Sequence, residues 1–214
     1  MKNILLTLAV VGSAQLAFAD AIPYPTPGVY NAVTYVFTAT ATGPVTAYFA
    51  GSTASYVNEL GMKVNGVPTG IVGLNNHTSF LGQSLMLGMV NAGDVLTFEL
   101  INHTLGLTAY SDPSLNIPYD LPGDAIHNHV YSTPYTATSP IIDSIPVGTF
   151  VSFEDLRFPS ADFNYNDEDF VFTNVGSTPA PDSASSLALL SIGFAAVAFL
   201  RRHLCGQSNK AVVS

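Results

Sequence analysis

Between residues 28 and 175 the chain consists of short apolar runs separated by turn-forming residues, and this pattern constrains the fold more than any other feature. The runs are rich in β-branched and aromatic side chains, which favour strands. Gly43-Pro44, Asn65-Gly66 and the triplet at residues 92–94 are typical of turns. No stretch before Ser183 has a helical period. The pattern predicts an all-β domain, an antiparallel β-sandwich of the jelly-roll-like kind.

The first two predicted strands are expected to form a hairpin. Residues 33–42 and 45–50 are strand-like, and Gly43-Pro44 between them is a turn signal. The other predicted strands are residues 62–67, 84–89, 95–101, 107–110, 129–135, 149–153 and 169–174. Residues 112–124, rich in Pro, are predicted to form a long loop.

The two ends of the chain are expected to be export signals rather than parts of the fold. Lys2 and an apolar run precede Ala17-Phe18-Ala19, the small-x-small form that signal peptidase cleaves. Residues 183–200 are eighteen uncharged residues, which span about 27 Å as a helix, close to the thickness of a bilayer core. Arg201 and Arg202 follow, and basic residues stay on the cytoplasmic side.

These features divide the precursor into five segments. The predicted segments are a signal peptide at 1–19, the β-sandwich domain at 20–175, a linker with a sorting motif at 176–182, one transmembrane helix at 183–200 and a basic cytoplasmic tail at 201–214.

The predicted exported part is strongly acidic and contains no cysteine. Residues 20–181 hold two basic residues, Lys63 and Arg157, against fourteen carboxylates, so their net charge is near −12. Such a surface repels phosphate backbones, which argues against a nucleic-acid partner, and it suits divalent cations. The one cysteine, Cys205, lies on the predicted cytoplasmic side, so we expect no disulfide in the domain.

The residues that could carry chemistry are concentrated in the acidic segment 153–172. Asp162, Asn164, Asn166 and Glu168 occupy alternating positions. Spacing by two in a turning loop lets oxygen ligands converge on a hard cation, so these four residues are predicted ligands of Ca²⁺.

The calcium prediction needs further ligands from outside the loop. The helix-loop-helix calcium motif does not fit, because its sixth and twelfth positions would be Asp167 and Thr173 rather than Gly and Glu. Glu154 and Asp155 on the preceding strand are predicted to complete the shell, and Tyr165 is expected to pack against the sheet or face a ligand. The alternative is a solvated acidic hairpin whose Asp and Asn residues form turns.

Two other chemistries are open. His127 and His129 lie two apart on a strand approach, so their side chains share one face and could bind zinc, although hydrogen-bonded histidines at a strand end are the alternative. Paired carboxylates could hydrolyse a glycosidic bond. The chain contains no Trp to stack on a sugar, and Arg157 is the basic residue near the carboxylates, so no catalysis is expected.

The C-terminal segment resembles a known bacterial sorting signal. Pro181, Asp182 and Ser183, the apolar span and the two arginines are similar to the PEP-CTERM signal of Gram-negative bacteria, in its Val-Pro-Asp-Ser-Gly variant, with Ala180 and Ala184 at the flanking positions. The resemblance implies recognition by an exosortase, a membrane-embedded transpeptidase-like enzyme, after an inner-membrane intermediate. It further implies delivery to the outer surface, often in strains that make exopolysaccharide.

A second resemblance lies in the domain. Phe-Glu-Asp-Leu at 153–156 and the acidic residues 162–167 are similar to the signature of the bacterial domain-of-unknown-function 4114 family, with Ser160-Ala161 in place of Gly-Gly and Asn164 in place of Asp. The Asn-His-Val-Tyr sequence at 128–131 is similar to the upstream His element of that family. The resemblance implies a β-rich surface module.

The sequence therefore predicts an exported structural or adhesive protein of the cell surface or extracellular matrix. Its expected partners are signal peptidase and an exosortase during export, the membrane through the C-terminal helix, and extracellular polysaccharide. The acidic loop is expected to be stabilised by calcium. The alternative functions are a carbohydrate-active hydrolase and a carbohydrate-binding module acting on exopolysaccharide, the latter using Tyr side chains as stacking faces.

Overall fold

The computed structural model describes residues 22–123, 127–136 and 144–180. These ranges contain eleven strands and one 3-10 turn at Pro113–Leu115. The strands are β1 (Tyr35–Ala39), β2 (Gly43–Gly51), β3 (Asn58–Val64), β4 (Val67–Pro68), β5 (Ser84–Val90), β6 (Val95–Asn102), β7 (Leu107–Tyr110), β8 (Val130–Tyr135), β9 (Gly148–Phe153), β10 (Glu168–Thr173) and β11 (Val175–Pro179).

The strands form two sheets. The first sheet has the order β11-β1-β6-β3-β4, with β7 also paired to β6, and the second has the order β5-β2-β10-β9-β8. The pairings are antiparallel. Phe98 of β6 stacks on Phe172 of β10 with ring centroids 3.9 Å apart, so the core lies between the sheets. The predicted all-β antiparallel sandwich is confirmed.

The predicted hairpin of residues 33–42 and 45–50 is wrong. β1 pairs with β6 in the first sheet, whereas β2 pairs with β5 and β10 in the second. The chain crosses between the sheets before Gly43, where the Asn174 side chain accepts a hydrogen bond from the Ala41 N–H at 2.7 Å and donates one to the Ala41 carbonyl oxygen at 2.9 Å. The Asn174 side chain, distant in sequence, therefore makes the hydrogen bonds of this turn. β1 and β2 each bury one face in the core between the two sheets.

The boundaries of most other strands are close to the predicted ones, but the single strand predicted at residues 62–67 is wrong, because it contains the end of β3, a turn and the start of β4. β7 matches residues 107–110, and the Asn65-Gly66 turn joins β3 to β4 with φ angles of 50° and 82°, which Asn and Gly tolerate. β3 begins at Asn58 rather than at residue 62, and β11 lies largely in the residues predicted to form a linker. The added residues of β3 and those of β11 are mostly polar or small, with one apolar residue each, Leu60 and Val175, so they lack the repeated apolar alternation that predicts a strand.

The predicted export signals lie outside the described residues. They include the signal peptide, the transmembrane helix, the cytoplasmic tail and the residues Ala17, Ala19, Pro181, Asp182, Ser183, Arg201 and Arg202. Among the residues that the structure describes, no helix is long and apolar enough to cross a membrane.

Candidate metal centre

One end of the sandwich core is lined by polar side chains. Glu168 begins β10 on the same face as Phe170 and Phe172, because alternate residues of a strand share a face. On the first sheet, Asn58 of β3 is in register with Asn102 of β6, and both are fully buried. A carboxylate and two amides therefore occupy positions where the rest of the core has apolar residues.

Asp155 connects this polar layer to the acidic segment. Its Oδ2 accepts a hydrogen bond from Asn58 Nδ2 at 2.7 Å, and its backbone N–H donates to Asp167 Oδ2 at 2.7 Å. Glu154, Asn58 and Glu168 are 0 % exposed, Asp155 is 2 % and Asp167 is 8 % exposed. We call Asn58, Glu154, Asp155, Asp167 and Glu168 the core acidic cluster.

The carboxyl groups of the core acidic cluster all disfavour their charged forms. Burial raises the pKa of Glu154 to about 7 and that of Asp167 to about 10, and neighbouring carboxylates act in the same direction. Burial also raises the pKa of Asp155, and it raises that of Glu168 well above its usual value, with the charge of Asp155 adding to the second shift. A cluster of this kind must hold protons or a cation.

The two basic residues of the described ranges are engaged elsewhere. Lys63 Nζ lies 3.2 Å from Glu99 Oε1 and over the ring of Tyr110. The Arg157 guanidinium donates to the backbone oxygens of Tyr119 and Asp120. Within the described ranges, therefore, no Lys or Arg side chain balances the charge of the core acidic cluster.

Several oxygens of the core acidic cluster have no hydrogen-bond donor. Both carboxylate oxygens of Glu168, Oε2 of Glu154 and Oδ1 of Asn58 are buried without a hydrogen-bond partner. Leaving a buried polar atom unsatisfied costs about 1–3 kcal/mol and more when it is charged. Among the described residues, no three His, Cys, Asp or Glu side chains form a ready-made metal site. The oxygens are thus collected in one region without being gathered into a formed coordination shell.

The structure separates the six predicted calcium ligands into two groups. Glu154, Asp155 and Glu168 lie in the core acidic cluster. The other three form successive turns near the surface, in which Asp162 accepts from the Asn164 N–H at 3.2 Å and Asn164 accepts from the Asn166 N–H at 3.1 Å. The turn-forming alternative therefore describes these three residues, and the cation-binding interpretation suits the buried ones.

Tyr165 lies between these turns and its side chain is buried. Of the two predicted roles, packing or facing a ligand, the position corresponds to packing. Its hydroxyl accepts a hydrogen bond from the Asn31 N–H at 3.0 Å and donates to the Asn128 carbonyl oxygen at 3.2 Å. Its φ is 51°, a left-handed conformation that orients the ring inward while its neighbours turn outward.

Sequence reasoning missed two members of the core acidic cluster. Asp167 was within the acidic segment but out of phase with the alternating pattern. Its side chain accepts from the Asp155 N–H, and its backbone N–H donates to the Phe153 carbonyl oxygen, so contacts distant in sequence place it on the buried side. Asn58 had no signal at all, because it is an isolated Asn distant in sequence from the acidic segment.

A second buried polar group lies around Asp120, in the predicted long loop. His127 Nδ1 lies 2.8 Å from Asp120 Oδ2, and His129 Nε2 lies 2.9 Å from Oδ1. The Phe158 N–H donates to Oδ1 at 3.0 Å. Burial would raise the pKa of Asp120, but the hydrogen bonds from His129 and His127 outweigh it and lower the pKa below its usual value. We call Asp120, His127 and His129 the Asp-His cluster.

The hydrogen bonds of His129 determine its chemical role. Nδ1 lies 2.8 Å from the Glu154 carbonyl oxygen and Nε2 lies 2.9 Å from Asp120 Oδ1, so an oxygen atom faces each ring nitrogen. The ring also stacks on Phe158 with centroids 4.2 Å apart. This geometry corresponds to the hydrogen-bonded alternative rather than to a zinc ligand, because oxygen atoms of Glu154 and Asp120 already occupy the hydrogen-bonding positions of both ring nitrogens.

Comparison with known proteins does not extend this description. No family model matches the chain, and no curated protein or solved structure matches it.

Proposed function

We propose that this chain is an exported structural or adhesive module of the bacterial cell surface or extracellular matrix. The proposal includes the export route implied by the two ends of the sequence. Signal peptidase cleaves after Ala19, the segment 183–200 holds an inner-membrane intermediate, and an exosortase processes the chain near Pro181, Asp182 and Ser183. A jelly-roll-like arrangement of the β-sandwich is also part of this proposal.

The observation that supports a non-catalytic role is the burial of the acidic residues. A glycosidase needs two carboxyl groups that flank the bond of a bound sugar. Glu154 and Glu168 are 0 % exposed and Asp155 is 2 % exposed. A polysaccharide chain cannot reach these groups in the described structure, so they contribute to the fold rather than to turnover.

The test is a turnover assay with the purified full-length chain on a panel of exopolysaccharides, using reducing-end release as the readout. We expect no product with the wild-type chain. Turnover that is lost in Asp155→Asn would overturn the proposal in favour of a hydrolase. Turnover retained in that variant would also overturn it and would place a catalytic site elsewhere.

The export part of the proposal has its own test. Protease added to intact cells of the native host should degrade the protein, and deleting the exosortase should leave a larger, membrane-bound form. A protein of unchanged size and location in the deletion strain would contradict sorting by that enzyme.

A carbohydrate-binding module is the second candidate, because one cavity is open to a small ligand. The cavity has a volume of about 320 Å³ and is lined in part by Lys63, Leu107, Tyr110, Leu115 and Tyr119. The Lys63 ammonium already lies 4.0 Å from the centre of the Tyr110 ring, so one face of that ring is occupied. Binding of exopolysaccharide that is lost in Tyr110→Ala would establish this function, whereas binding unchanged in that variant would exclude this cavity.

A further inference from the structure

The core acidic cluster has a composition that its position in the fold does not explain. Glu168 occupies a core-facing position of β10 where Phe170 and Phe172 continue the same face. An apolar residue there would complete the core without desolvating a charge. Both oxygens of Glu168 are nevertheless buried without a hydrogen bond of normal geometry. The Asn76 backbone N–H lies near enough to favour the ionised carboxylate, but it does not offset the burial that raises the pKa of Glu168.

Asn58 gives a second observation that does not depend on the acidic residues. Its Nδ2 donates to Asp155 Oδ2 at 2.7 Å, which places the amide group within the cluster, while its carbonyl Oδ1 is buried without a partner. The Asn58 carbonyl oxygen and the neighbouring carboxylate oxygens are all hydrogen-bond acceptors, so they cannot bond to one another. Water, a protonated carboxyl group or a metal ion could serve as the partner of this oxygen, and an amide oxygen is an ordinary ligand of calcium.

Asp155 is the residue that the other members share. It is bonded to Asn58 through its side chain and to Asp167 through its backbone, and its charge acts on Glu154 and Glu168. Asn58 belongs to the first sheet and Glu168 to the second. An ion bound at Asp155 would therefore link the two sheets at this end of the core.

We propose that the core acidic cluster binds one Ca²⁺ ion through Asp155, Glu168 and the Asn58 Oδ1, with Glu154 and Asp167 completing an all-oxygen shell. Calcium takes six to eight oxygen ligands in flexible geometry, which suits five side chains that must move to close on the ion. Magnesium demands a tighter octahedral shell and fits such a cluster less well. The surface residues Asp162, Asn164 and Asn166 are not ligands, since they hold each other in turns. The inference goes beyond the proposed function and does not depend on it.

The test compares thermal unfolding of the full-length chain in excess chelator and in millimolar CaCl₂. A site that binds only the folded state should raise the unfolding midpoint by about 5–10 °C at a hundredfold excess of Ca²⁺ over Kd, with a smaller effect of MgCl₂. Isothermal titration with CaCl₂ should give one ion per chain. No shift, or no bound ion, in the wild-type chain overturns the proposal.

Two matched carboxylate-to-amide variants locate the ion. Glu168→Gln should lose the calcium-dependent shift, and Asp162→Asn should retain it. The opposite pattern would place the ion in the surface loop and overturn the proposed ligand set, as would an undiminished shift in Glu168→Gln. Should Glu168→Gln not fold, Asn58→Leu replaces it, and calcium binding by the wild-type chain still decides whether the ion is bound. The turnover assay above reads a different property, so failure of either proposal leaves the other intact.

Discussion

Two groups of buried carboxylates lie close together in this molecule and differ in how their charge is compensated. In the Asp-His cluster, both oxygens of Asp120 contact imidazole nitrogens and one also accepts the Phe158 N–H. In the core acidic cluster, neither oxygen of Glu168 has a hydrogen bond of normal geometry, although the Asn76 backbone N–H lies near the carboxylate. The pKa of Asp120 is lowered by its neighbours, whereas the pKa of Glu168 is raised by burial and by Asp155.

The contrast between Asp120 and Glu168 shows that burial alone does not decide the role of a carboxylate. Asp120 is hydrogen-bonded by side chains and backbone of the chain itself and connects the predicted long loop to the residues that precede β8, so it serves the fold. The core acidic cluster requires something that the described residues do not supply, namely shared protons or a bound cation. This contrast yields five predictions, given in order of decreasing effect on stability.

Removing the Asp120 carboxylate should have the largest effect. Asp120→Ala leaves the two imidazoles and the Phe158 N–H without an acceptor, which should lower the free energy of unfolding by about 3–5 kcal/mol. Urea unfolding followed by circular dichroism measures this loss. The loss should be the same in chelator and in calcium; a loss that calcium reverses would mean that the two clusters act as one.

In chelator, the stability of the wild-type chain should fall as pH rises. The raised pKa values of Glu154, about 7, and Asp167, about 10, mean that the folded chain binds more protons than the unfolded chain from about pH 4 upward. The proton that Asp167 retains changes the free energy of unfolding by about 1.4 kcal/mol per pH unit, or about 3 kcal/mol between pH 5 and pH 7, and the proton on Glu154 adds to this change.

Asp120 should produce the opposite pH dependence. Its lowered pKa means that its ionisation stabilises the folded chain above the usual value of 3.8, and that this contribution is lost as pH falls through the folded pKa. Urea midpoints from pH 3 to pH 8 in chelator should therefore show a maximum in mild acid. A stability that rises steadily to pH 8 would contradict the description of the core acidic cluster.

Replacing the carboxylate by an amide should change the free energy of unfolding in opposite directions at Glu168 and at Asp120. In chelator at pH 7, Glu168→Gln removes a buried group that resists ionisation, so the free energy of unfolding should increase by about 1–2 kcal/mol. Asp120→Asn should decrease it, because an amide nitrogen then faces hydrogen-bond donors. Urea unfolding of both variants provides the comparison, and a decrease in both would show that Glu168 has a partner after all.

A substitution in the surface turns should have the smallest effect on the free energy of unfolding. Asp162 is exposed and bonds to Asn164, so Asp162→Ala should change the free energy of unfolding by about 0.5 kcal/mol, in chelator and in calcium alike. A larger loss that appears only in calcium would return Asp162 to the ligand set.

The strands were largely predictable, because each has a local signal in the alternation of apolar residues and in turns such as Asn65-Gly66. The pairing of β1 and β2 was not. Their turn sequence suits a hairpin, yet the Asn174 side chain satisfies the turn and leaves the two strands in different sheets. Three of the six predicted calcium ligands, Glu154, Asp155 and Glu168, lie in the candidate site. They could be predicted because they are at the ends of β9 and β10, two strands with clear sequence patterns.

The β class of the chain, the acidic character of residues 20–181 and the segment in which the acidic residues collect could all be predicted from the amino-acid sequence. Composition and short-range periodicity carry these properties, and neither requires a distant partner. Only the tertiary structure decided which carboxylates are buried and which form turns. That decision depends on Asn58, which meets Asp155 because β3 and β9 lie on opposite sheets of one sandwich, a proximity that no local pattern encodes.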